Sequence, residues 1–143
     1  QREDISTDPD LYNQSTPSDI GMLLEDIYQC AENGQGTFKA VFNDQITQTE
    51  CQIMIDYLAQ NKMPSLLEAG VPDVTEVAHK HGWVTYNGIM QTLGDAGIIY
   101  SPGGDYVLVI FLNHPDQLIW DNASILVGQL SEAIYNFYNQ TSS

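Results

Sequence analysis

Positive charge is what this sequence has least of: four Lys and Arg residues stand against nineteen Asp and Glu in a chain of 143, a formal net charge of −15. Nucleic acid needs clustered cations to displace the counterions of its phosphates, and Arg2, Lys39, Lys62 and Lys80 are scattered. Anionic membrane surfaces are disfavoured for the same reason. Long hydrophobic runs are missing too. A membrane span takes roughly 20 apolar residues; the longest run here, residues 106–112, has the length of a buried strand. No internal repeat or low-complexity tract is present. An initiator methionine is absent, and the opening on Gln1 suggests a processed, excised or partial polypeptide whose signal peptide, if it had one, is gone.

Cysteine is sparse. Cys30 and Cys51 fall at the end of one predicted helix and the start of the next, so a disulfide is geometrically possible. Two unpaired small core residues are an equal reading. Sequons at Asn13, Asn122 and Asn139 carry meaning only in a source that glycosylates secreted proteins.

What the sequence does have is apolar material, with 43% hydrophobic and 10% aromatic residues. At this length it builds one core and one domain at most. The acid excess reads as a solvated exterior. Residues 1–15 are a polar lead-in. A helical part is expected over 16–70, antiparallel strands over 74–113 and a closing helix over 121–139.

The local signals are these. Thr16, Pro17, Ser18 and Asp19 open a helix with a hydroxyl cap, a proline at its first position and an acid near its positive end. Ile20, Leu23, Leu24, Ile27, Tyr28 and Ala31 recur at helical spacing, and Asn33-Gly34 ends the run. Residues 34–46 read as a loop whose Phe38, Val41 and Phe42 pack down on that helix. Thr47 and Glu50 form a capping box for a second helix carrying Ile53, Met54, Tyr57 and Leu58. Residues 64–69 suggest a short third helix, stopped by Gly70 and Pro72. Strands follow at 75–83, 90–100 and 106–113, parted by Tyr86-Asn87-Gly88 and by residues 101–105. Short turns imply antiparallel pairing. Residues 107–112 lack alternation, as in a central strand covered on both faces. Leu126, Leu130, Ile134 and Phe137 form a stripe that would cover one face of the sheet.

The stretch that stands out is Val77-Ala78-His79-Lys80-His81-Gly82-Trp83, which places a scarce lysine between two of the three histidines inside an apolar strand. With residues 95–100 (Asp95-Ala96-Gly97-Ile98-Ile99-Tyr100) and 103–109 (Gly103-Gly104-Asp105-Tyr106-Val107-Leu108-Val109), it resembles the C-terminal part of a class A β-lactamase-like, penicillin-recognising serine hydrolase. In that family a Lys-Thr-Gly or Lys-Ser-Gly box lies on a strand, followed by two more strands and a C-terminal helix. Ser15-Thr16-Pro17-Ser18-Asp19 and Met54-Ile55-Asp56-Tyr57-Leu58 resemble the helices that precede that strand. The similarity runs over about residues 12–138, in one order.

The resemblance implies an α+β fold: helices, then a three-stranded antiparallel sheet, then a C-terminal helix packed on it. It implies a catalytic wall of Lys80, His81, Gly82 and Trp83. Lys80 would bring a positive charge to the proton-relay serine and the substrate carboxylate. Trp83 would give a backbone N–H to an oxyanion hole, and Gly82 would let substrate approach the strand edge. His81 stands where the family has a hydroxyl residue; imidazole also hydrogen-bonds a carboxylate, but is larger and titrates near neutral pH. The departures are as informative. No serine has a lysine three residues later, Ser-x-Asn and Tyr-x-Asn are missing, and only Asp8 and Asp10 lie near the place of the family's acidic loop.

The expectation is therefore the C-terminal portion of a secreted or extracytoplasmic acyl-transfer hydrolase. Its partners would be the missing N-terminal half, or a second copy, and in the parent a small-molecule or peptidoglycan-like acyl substrate. No cofactor is implied. The other reading is a non-catalytic extracellular structural or self-assembling protein, since in the family fold the sheet gains strands from the N-terminal segment. A metal site of His79 and His81 with His114 lacks fixed ligand spacing. A Cys-His nucleophile using Cys30 or Cys51 lacks an activating motif. His79 reads as structural, and His114-Pro115-Asp116 as a strand-ending turn.

Overall fold

The computed structural model describes residues 15–42 and 45–140. Asn13 and the acids Asp8 and Asp10 lie outside the described residues. Among the described residues four helices and one sheet follow in the order α1 (Pro17–Asn33), α2 (Thr37–Phe42), α3 (Gln48–Ala59), β1 (Glu76–Tyr86), β2 (Ile89–Tyr100), β3 (Tyr106–Asn113) and α4 (Trp120–Tyr138), with a 3-10 turn at Glu68–Gly70 ahead of β1.

Local chemistry sets the helix boundaries. Thr16 and Asp19 exchange side-chain-to-backbone bonds of 3.1 Å each, a reciprocal capping box, and Gly34 closes α1 at φ 61°. Thr47 and Glu50 repeat the box at the start of α3. Cys30 and Cys51, both fully buried, join α1 to α3 through a disulfide. The bridge closes a loop of 21 residues' separation, and constraining that loop in the unfolded chain is worth about 3 kcal/mol. Urea denaturation of the Cys30→Ser, Cys51→Ser variant is expected to show a loss of about that size. A loss below about 1 kcal/mol would mean that the buried α1–α3 packing holds the two helices together unaided.

The sheet has the order β1-β2-β3, antiparallel throughout. Asn87 at φ 50° and Gly88 at φ 78° make the two-residue turn between β1 and β2, the left-handed pair that matches the twist of a hairpin. Helices α1 and α3 cover one face, around Leu24, Ile27, Ile55, Ala78, Ala96 and Ile98. The other face is covered by α4 and the segment before β1, with Leu66, Leu67, Leu93 and Val127 at zero exposure. This is the α+β arrangement that the order of sequence patterns implies.

Four local readings are corrected. The stretch 34–46 is not all loop: Thr37–Phe42 is a short helix, and the backbone N–H of Thr37 bonds Asp26 of α1 at 3.2 Å. Residues 64–67 are not helical. Leu66 sits at φ 59°, a left-handed conformation that no α-helix continues through, and there Leu66 and Leu67 plug the core. β3 is at the edge of the described sheet and β2 is central. Cover on both faces removes alternation whether or not both edges are paired, and β3 has α1 on one face and α4 on the other.

The fourth correction concerns α4. Its buried residues are Ala123, Val127, Gly128 and Ser131, while Leu126, Leu130, Ile134 and Phe137 remain exposed. The reason is close approach. A Cβ on Gly70 would collide with the backbone oxygen of Gly128, and Ser131 Oγ donates to Leu67 O at 2.8 Å. The side of α4 that meets the segment before β1 must therefore be small and partly polar. The far end of α4 is tied by Asn139, whose side chain accepts from Gly103 N at 2.8 Å and donates to Ser101 Oγ and Tyr135 O. Asn122, by contrast, is exposed.

Candidate functional site

The four residues implied by the sequence share one strand edge. In an antiparallel pair, alternate residues turn both backbone groups toward the partner strand and the others turn both away. His79 O receives a bond from the Asn61 amide at 3.2 Å, and His81 O receives one from Lys80 Nζ at 2.7 Å. Both carbonyls therefore face away from β2. The backbone of Trp83, at the next position of the same alternation, faces that open edge as well.

Side chains divide the other way. His79, His81 and Trp83 lie on the α4 face, and Lys80, Gly82 and Val84 on the α1 face, opposite Ala96, Gly94 and Thr92 of β2. Over that second face runs an open apolar groove of about 560 Å³, walled by Leu23, Leu24 and Ile27 of α1 and floored by Gly82, Gly94 and Ala96. Lys80 and His81 both line it, and a Cβ at Gly82 would meet nothing within 4 Å. Lys80 also borders a neighbouring hollow of about 510 Å³ with Met54, Tyr57 and Asn61. The ammonium is thus an exposed cation at the mouth of an apolar channel, held by a carbonyl of its own strand.

His79 anchors this edge from beneath. It has zero exposure, and its Nδ1 lies 3.0 Å from each carboxylate oxygen of the equally buried Asp95. Asp95 Oδ2 accepts in addition from Leu67 N at 3.1 Å, so one carboxylate joins β1, β2 and the segment before β1. Gly97 makes room for the imidazole: a Cβ there would lie 2.6 Å from the His79 Cβ. Along the same face His81 stacks on Trp83 with ring planes 9° apart, and Trp83 meets Trp120 of α4 edge-on at 5.4 Å. Partial burial and the neighbouring Lys80 ammonium hold the His81 pKa below its ordinary value. Trp83 is half exposed.

Sequence reasoning singled out the 80–83 wall and missed two residues that support it. Asp95 carried a signal, an acid inside an otherwise apolar strand. Asn61, in the link after α3, carried none. No group of three or more His, Cys, Asp and Glu that could hold a metal occurs among the described residues. His114 is engaged within its own turn, its Nδ1 accepting from the backbone N–H groups of Asp116 and Gln117.

An open strand edge bearing an exposed lysine, backed by a buried His-Asp pair and set between two helical layers, defines an α+β domain with an open groove along its sheet. The profile of the β-lactamase enzyme family matches residues 2–138, and the chain belongs to that family. A β-lactamase of Bacillus licheniformis is 35% identical over 75 residues, which is 52% of this chain and 23% of that protein. The fold is similar to that of the TLA-1 extended-spectrum β-lactamase, with TM-score 0.71 and 20% identity, over 96% of this chain and 47% of that one. It is also similar to PBP-A, with TM-score 0.68 and 22% identity, over 89% of this chain and 41% of that one. A mutant of PBP-A was solved as an acyl-enzyme complex with penicillin G. The chain thus spans less than half the length of these structures.

Proposed function

We propose that this chain is the C-terminal portion of a secreted serine β-lactamase or penicillin-binding-like hydrolase, and that it contributes the cationic wall of an acyl-transfer site. The observation that carries the reading is Lys80: one of four cations in the sequence, set exposed at the mouth of the groove within the family match. In the intact parent a serine would open an amide or β-lactam. The Trp83 N–H would meet the oxyanion of the tetrahedral intermediate, and Lys80 would stabilise anionic substrate and serine alike. The nucleophile comes from polypeptide that this sequence does not contain, since Ser-x-x-Lys is absent from it. The Cys30–Cys51 disulfide supports an oxidising, extracytoplasmic location.

The pure 143-residue chain is expected to leave a chromogenic cephalosporin unhydrolysed, while mass spectrometry of the native source finds a longer precursor or a companion chain carrying Ser-x-x-Lys. Turnover by the chain alone would overturn the half-site assignment. The non-catalytic, self-assembling alternative draws on one observation, the exposed Leu126, Leu130, Ile134 and Phe137 stripe of α4. It would be favoured by a mature product of this length that sediments as an oligomer. Like charge, at −15 per chain, opposes that association.

A further inference from the structure

Asn61 touches β1 at two atoms, one of them in the candidate wall. Its Nδ2 lies 3.2 Å from His79 O and 3.0 Å from His81 Nδ1. A carbonyl oxygen can only accept, so the group facing His79 O is the amide NH2, and this settles which way the Asn61 side chain is turned. The same nitrogen has a second hydrogen for His81. Two donors do not face each other at 3.0 Å, so Nδ1 of His81 must accept through its lone pair. The proton of the neutral ring then sits on Nε2, and an imidazolium, a donor at both nitrogens, is incompatible with the contact. The Trp83 indole stacked on the ring limits its freedom to turn over.

We propose that Asn61 is a positioning residue that holds His81 in its neutral Nε2–H form, so that the position after Lys80 presents a hydrogen-bond donor beside the lysine. A hydroxyl would offer the same donor in less space. Beside an ammonium, a fixed neutral donor suits an acceptor-only group such as a carboxylate. That ligand assignment rests on the function proposed above; the tautomer does not. The partial burial of the ring and the nearby Lys80 ammonium act in the same direction, against a second proton.

The other two histidines provide references within the same chain. His79 Nδ1 faces a carboxylate and must donate, so His79 carries a proton on Nδ1. His114 Nδ1 accepts from two backbone N–H groups, so His114 is an Nε2–H ring. Long-range 15N–1H correlation of the uniformly 15N-labelled chain near pH 7.5 distinguishes the two tautomers. Nothing in the measurement requires a nucleophile or a substrate.

The expected spectrum shows His81 with the His114 pattern and His79 with a protonated Nδ1. In Asn61→Asp the new carboxylate only accepts, so His81 is expected to change to the Nδ1–H pattern or to imidazolium, with His114 unmoved. Should that variant fail to fold, Asn61→Leu removes the donor without adding charge, and His81 is then expected to show an averaged mixture of tautomers. A wild-type His81 that is Nδ1–H or imidazolium overturns the proposal. So does a pure Nε2–H ring that persists in the folded Asn61 variants.

Discussion

Asp95→Ala is expected to destabilise the chain by about 3–5 kcal/mol, the usual range for removing one partner of a buried polar pair. The carboxylate has two partners, the His79 ring and the Leu67 N–H, and none of the three residues has measurable exposure. Alanine would leave an imidazole N–H and a backbone N–H without acceptors and open a cavity between them, each of which costs about 1–3 kcal/mol. Asp95→Asn should cost less, about 1–2 kcal/mol. The amide oxygen can still accept from Leu67 N, and its NH2 can donate to His79 Nδ1 if the ring moves its proton to Nε2. The order Ala worse than Asn distinguishes lost hydrogen bonding from lost packing, and urea denaturation of the two variants reads it. Equal losses would show that volume alone matters at this position.

The second large effect concerns activity. In a domain completed by its nucleophile-bearing polypeptide, Lys80→Ala is expected to lower kcat/KM by about 10²–10³-fold, the range for removing one preorganised electrostatic group from an acyl-transfer site. The stability of the domain should hardly change, because the side chain is exposed and its hydrogen bond goes to the carbonyl of the next residue. Lys80→Arg keeps the charge with a different reach and should recover part of the loss. Steady-state hydrolysis of a chromogenic cephalosporin, with thermal melts of the same samples, separates the two readouts. A less than threefold loss in Lys80→Ala would remove the lysine from the mechanism and reduce the wall to backbone alone.

The strongest local signals were chemical ones. Both capping boxes, the Asn87-Gly88 turn and the apolar run of β3 each satisfy a backbone requirement with a specific residue type, and these can be read along a string of letters. The face of α4 could not. Two stripes compete on that helix, and the more hydrophobic one, through Leu126 and Leu130, is the one left exposed. The buried stripe is chosen by the backbone of residues 66–70 lying against it, which admits Gly128 and Ser131 and excludes larger side chains. That choice depends on a neighbour about 60 residues away in sequence, as the Ser131 to Leu67 bond illustrates. The position of β3 at the sheet edge was hidden for a similar reason. Side-chain pattern reports what lies above and below a strand, and says nothing of what lies beside it.

The site was legible to the same depth. Lys80 stood out because cations are rare here, and the apolar run around it indicated a strand. Its supports did not stand out. Asn61 acts through an amide that reaches a neighbouring strand, and asparagine in a link is too common to attract notice. Asp95 became meaningful only when the β1–β2 register set it opposite His81 and beside His79.

The His79–Asp95 pair has a consequence for folding as well. The turn at Asn87-Gly88 fixes where the β1–β2 hairpin begins, but a bulge at Val84/Thr85 lies between the turn and the wall, so the turn alone leaves the pairing of residue 79 open. A slip of one residue would exchange the faces of β1, drive the Lys80 ammonium toward the apolar layer under α4 and bring His79 out on the groove side. The buried pair makes that slip expensive, because Asp95 would lose the imidazole it bonds and His79 would lose its acceptor. It works as a proofreading contact: the hairpin closes in the one alignment that leaves its lysine in water.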